Sequence, residues 1–71
     1  MDARTALKTG IAELREAAVP SFTLAAELLL LHVAGRDRTW LYAHPEEILP
    51  EEIVNRYNAL LARRLVRAEA S

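Results

Sequence analysis

The stretch Ala25–Pro45, AAELLLLHVAGRDRTWLYAHP, decides how this chain folds. From Ala25 to Ala34 only Glu27 and His32 carry polar side chains, and a glycine, an aspartate and a proline punctuate the remainder. As a helix from Leu24 to Ala34, the run is apolar on several sides: Leu24, Leu28 and Leu31 make one stripe, and Leu29, Leu30 and Val33 fill the flanks. Such a helix is expected at the centre of a domain, covered by its neighbours over most of its circumference, so Leu28 and Leu31 are expected to be purely structural. Ser21 and Thr23 are both acceptable caps for its start, and Gly35 is a good C-terminal stop.

Upstream, TALKTGIAELREAAVP places Leu7, Ile11, Leu14 and Ala18 at helical steps, with Arg4, Lys8, Arg15 and Glu16 elsewhere around the turn. Thr5 or Asp2 can cap this one-sided helix, and Pro20 pushes Val19 out of the helical region and ends it. Gly10 in its interior costs about 1 kcal/mol relative to alanine, which points to a close approach of backbone there. Downstream, Asp37 can cap a short helix through Thr39, Trp40, Leu41 and Tyr42 to Ala43, closed by Pro45. Pro50 suits the first position of a last helix, Glu51 and Glu52 complement its positive end, and Arg63, Arg64 and Arg67 its negative end. Ile53, Tyr57, Leu60 or Leu61, and Arg64 or Leu65 make its inward stripe. No stretch alternates with period two. The expected fold is all-α, a small orthogonal or irregular bundle of about four to five helices around the central apolar one.

With 71 residues, 52% of them apolar, the chain is one domain near the lower size limit for an unaided core. It has no cysteine, so disulfides and thiolate metal sites are excluded, and stability must come from helix packing or a partner. A formal net charge of −1 argues against a nucleic-acid module, whose affinity depends on neutralising phosphates. The apolar run is too short and too interrupted to span a bilayer, and the N-terminus has no signal-peptide pattern, so a cytoplasmic protein is expected.

Catalysis within these residues is not expected. No nucleophile with its base, no paired carboxylates and no glycine-rich loop occur, and the two glycines lie apart. His32 and His44 lack the surroundings of a metal site. Glu27 reads either as a buried acid or partner anchor, or, preferred, as a residue at the exposed edge or paired with an arginine. Trp40 is expected to plug one end of the core, with Tyr42 less so, although Trp and Tyr also favour binding hot spots. The basic group Arg63, Arg64 and Arg67 reads first as a dipole complement and solvated face, and second as a contact for an acidic partner.

The order of segments goes further. Val19-Pro20-Ser21, Ala26-Glu27-Leu28-Leu29-Leu30, His32-Val33, Gly35-Arg36 and Ala59-Leu60-Leu61-Ala62-Arg63-Arg64 succeed one another in a compound pattern. This pattern resembles the N-terminal helical domain of the HemK/PrmC family, the release-factor glutamine methyltransferases, over roughly residues 5–67. Ala25 stands where many members have aspartate, and Leu49 where a Ser or Thr cap often precedes the proline.

The resemblance implies that this is the front domain of a larger enzyme, whose catalytic domain would bind S-adenosylmethionine and hold the target amide in an Asn-Pro-Pro-Tyr motif. Neither that motif nor a glycine-rich cofactor site occurs here. The implied partners are a bacterial peptide chain release factor, modified on the glutamine of its Gly-Gly-Gln motif, and the enzyme's own catalytic domain, with no nucleic acid or membrane. The implied role is to dock the protein substrate. Two other readings are the front domain of the related ribosomal-protein glutamine methyltransferase and a free-standing helical interaction module. If the domain docks substrate, Arg36, Arg38, Arg63, Arg64 and Arg67 are expected to include the contacts, as the exposed charged groups nearest the connector and the C-terminal junction.

Overall fold

A computed structural model describes residues 1–70, with side chains described for residues 1–63. Four helices come in order: α1 (Ala3–Glu16), α2 (Phe22–Ala34), α3 (Arg38–Ala43) and α4 (Glu51–Ala70). The chain is all-α; α1, α2 and α4 each pack against the other two, and α3 turns the corner between α2 and α4.

Asp2, not Thr5, caps α1: its backbone is extended and its Oδ1 accepts a hydrogen bond from the Thr5 N–H at 2.7 Å. Thr5, through side chain and backbone, holds the Asp2 carboxyl below its usual value. The start of α1 is strapped to the connector before α4, where the Ala3 and Arg4 N–H groups donate to the carbonyls of Glu47 and Pro45 at 3.0 and 2.8 Å. The buried row of α1 is Ala3, Ala6, Gly10 and Leu14, with Leu7 and Ile11 half-buried beside it. The expected row through Leu7, Ile11 and Ala18 is thus rotated, because the small residues let neighbouring helices come close.

α1 ends before Pro20 acts. The Ala18 and Val19 N–H groups return to the carbonyls of Arg15 and Leu14, both at 3.0 Å, and Ala18 takes the left-handed conformation at φ 58°. This double closure usually employs glycine; here alanine makes it, and Val19 just beyond is buried in the core. The start of α2 also departs from expectation. Ser21 precedes it in a left-handed conformation with no side-chain capping bond, and Thr23 lies inside the helix. Gly35 terminates α2 as expected, at φ 65°, with its own N–H and that of Arg36 donating to the carbonyls of His32 and Leu31.

The orientation of α2 corrects the expected stripe. Ala26 and Leu30 are fully buried and Leu31 nearly so, whereas Leu24 is exposed and Leu28 is 52% exposed. Three mutually packed helices cover one another on their inner sides only, so even the most apolar of them keeps an outward row. Leu24 and Leu28, one turn apart, occupy that row. On α4, Tyr57 and Leu61 point inward and Ile53, Val54 and Leu60 flank them. Pro50 stands one position before the first helical residue, its carbonyl accepting from Ile53 and Val54. The expected inward positions Arg64 and Leu65 lie outside the described side chains.

Tyr57 joins all three long helices. Its hydroxyl donates to the Ala26 carbonyl on α2 at 2.9 Å. Its ring lies against Gly10 on α1, where an added Cβ would fall 2.9 Å from the phenol Cζ. The close approach inferred for Gly10 is therefore that of a side chain. Burial pushes the Tyr57 phenol far above its ordinary value of 10.0, with charge repulsion from Glu13 adding less.

Two outcomes are expected. Gly10→Ala overpacks this contact and lowers stability by about 1–3 kcal/mol, Tyr57→Phe leaves the Ala26 carbonyl without its partner at about 1–2 kcal/mol, and a double-mutant cycle in urea shows their costs to be non-additive. Because the raised value belongs to the folded state, the Tyr57 contribution is intact below about pH 10 and is lost as pH rises toward the folded value; Tyr57→Phe removes that part of the alkaline dependence. Separately, Leu30→Ala costs about 2–5 kcal/mol by opening a core cavity, while Leu28→Ala stays within about 1 kcal/mol, both measurable by thermal unfolding.

Candidate functional site

The corner between α2 and α3 is built on a buried acid. Glu27 is 7% exposed, and its Oε1 accepts from Arg38 Nε at 2.7 Å and from the Tyr42 hydroxyl at 3.3 Å. Arg38 and Tyr42 lie one turn apart on the same side of α3, so a single helical face closes over the carboxylate. Glu27 is paired with an arginine, the preferred reading, but it is buried and not at an exposed edge. Asp37 positions α3 by accepting from the Trp40 N–H at 2.9 Å, as its cap role requires.

Trp40 plugs the core as expected. Its ring is buried, its Nε1–H donates to Glu47 Oε2 at 3.0 Å, and the Arg36 guanidinium sits 5.8 Å from the ring centroid. Tyr42 is 68% exposed despite its hydroxyl contact, and His44 is exposed. Glu27, Arg38 and Tyr42 thus satisfy one another. Among the described residues, no buried side-chain polar atom lacks a partner and no group of three potential metal ligands comes together. The corner holds structure in place.

Neither glycine forms a cofactor cradle. Gly10 is filled by Tyr57, and a Cβ added at Gly35 would meet no heavy atom within 4 Å beyond its chain neighbours. Among the described residues, no helix is long and apolar enough to cross a membrane.

The five arginines singled out from the sequence fall into different settings. Arg36 covers Trp40 and Arg38 binds Glu27, so both are engaged at the α2–α3 corner while remaining exposed to solvent. Arg63 lines a groove between α2 and α4, together with His32, Val33, Arg56, Ala59 and Leu60. Arg64 and Arg67 lie outside the described side chains. The sequence did not reveal the part played by Arg56 and His32 in this groove. The spacing of Arg56, Leu60 and Arg63 marks one face of α4, but nothing in the linear order places His32 and Val33 opposite it.

Comparison with known proteins matches residues 5–68 to the family described as the PrmC N-terminal domain. A curated relative, the release factor glutamine methyltransferase of Koribacter versatilis (strain Ellin345), is 36% identical over 64 residues. That alignment covers 90% of this chain and 23% of the relative, so the chain spans about a quarter of the length of the relative it matches. No solved structure gives a significant match.

The Glu27 pair makes a further outcome measurable. Arg38 is about half exposed, so water screens the pair, and Arg38→Ala is expected to cost about 1 kcal/mol. Glu27→Ala, which strands both α3 partners and empties a buried position, should cost more, and chemical denaturation compares the two.

Proposed function

This chain belongs to the PrmC N-terminal domain family, and on that premise we propose that it is the substrate-docking front domain of a glutamine methyltransferase that acts on bacterial peptide chain release factors. The observation that carries this reading is the family match over residues 5–68, nearly the whole of the fold just described. The name of the Koribacter versatilis relative supports the choice of substrate, and its greater length leaves room for a separate catalytic domain. In this reading the methyl donor, S-adenosylmethionine, and the groups that hold the target glutamine belong to that domain, and the setting is cytoplasmic.

A rigid domain away from the chemistry has a definite physical use. By binding a remote part of a protein substrate it restricts the motion of the reacting amide, so binding energy offsets the entropy lost on reaching the transition state. The fold suits this role, since among the described residues every buried side-chain polar atom has a partner and the long helices are locked by one shared tyrosine. Calorimetric titration of this chain with a purified bacterial release factor is expected to give saturable one-to-one binding with Kd in the micromolar range, on the order of −8 kcal/mol. A flat titration, with the chain shown to be helical by circular dichroism, would overturn the docking role.

A further inference from the structure

The groove between α2 and α4 has a composition the corner lacks. Val33 and Leu60 are half-buried on its floor beside Ala59, while Arg56, Arg63 and His32 stand exposed around it. It is an open groove with a volume of about 370 Å³, room for one or two side chains of another molecule. Arg56 and Arg63 are seven positions apart, about 10 Å along one face of α4 at the helical rise. An apolar floor between two cations matches an apolar side chain flanked by carboxylates. A phosphate alone would leave the floor uncovered.

We propose that this groove is the docking site for an acidic segment of the partner protein, an apolar residue seated on Val33 and Leu60 with carboxylates reaching Arg56 and Arg63. The proposal rests on the docking role and narrows it to a face and a chemistry. Arg56 is engaged by Glu52 at 3.0 Å, but both side chains of that pair are well exposed, so its net strength is small and an incoming carboxylate can replace Glu52. A bidentate contact of arginine with a carboxylate is stronger than a screened one-turn pair, and the floor adds burial that Glu52 cannot supply. His32, in the last turn of α2, offers a further donor on the opposite wall.

The test uses this chain and a short fluorescein-labelled peptide in which glutamates flank leucines, with a lysine-for-glutamate peptide as its counterpart. Fluorescence anisotropy is expected to show binding of the acidic peptide and not of the basic one, weakened about tenfold or more in R56Q/R63Q. The glutamine pair removes the cations without setting a like charge beside Glu52. The control K8Q/R15Q removes the same charge from a groove on α1 lined by Lys8, Ile11, Ala12, Arg15 and Glu16, where the Glu16 carboxylate disfavours an acidic segment, and should bind as the parent does. Absence of acidic-peptide binding, or equal weakening in both double variants, overturns the groove. Release factor is then titrated against the parent and R56Q/R63Q. Equal binding to both overturns the groove while the docking role stands; no binding to either, with the acidic peptide still held by the parent, supports the groove and overturns the docking role.

Discussion

The phenol of Tyr57 is the point on which the domain depends. A chain of this size has little apolar area to spare, and three long helices must meet closely for any of it to be buried. Tyr57 achieves this from α4 by lying in the gap left by Gly10 on α1 and donating to the Ala26 carbonyl on α2. The glycine would weaken an isolated helix, but here its missing Cβ is the space the ring occupies. Small residues recur in the core, with Ala3, Ala6, Ala25 and Ala26 all buried beside Leu14, Leu30 and Leu61.

The α2–α3 corner is held by a different kind of interaction. A short helix has too few residues to be stable by itself, and α3 is fixed by the groups its side chains reach: Asp37 at its own start, Glu27 through Arg38 and Tyr42, and Glu47 through the Trp40 indole. Buried Trp40 supplies the apolar part of the attachment, and the polar contacts orient it. The connector after α3 then carries the hydrogen bonds that strap the N-terminus.

The parts that hold the fold are therefore distinct from the parts left open. The corner arginines are engaged within the domain, while the α2–α4 groove combines an apolar floor with cations whose existing contacts are weak. A surface of this kind on a rigid module binds a partner at less cost in ordering than one on a mobile segment.

Much of the architecture was legible in the linear order. Gly35 as the stop of α2, Asp37 as the cap of α3, Trp40 as a core plug and the tight contact at Gly10 all derive from local chemistry: a backbone angle, a short carboxylate, a bulky ring, a missing Cβ. So does family membership, which rests on the order of several such segments. The face that α2 turns inward could not be read, since a run of four leucines is apolar in nearly every direction and only the positions of α1 and α4 select Ala26 and Leu30 over Leu24 and Leu28. The same holds for Ser21, which takes a left-handed conformation with no side-chain capping bond. The groove is likewise a tertiary feature, for His32 and Val33 meet the Arg56–Arg63 face only when two helices distant in sequence lie side by side. Periodicity tells which residues share a helix face; the face that meets a neighbour is decided by the mutual fit of all the helices.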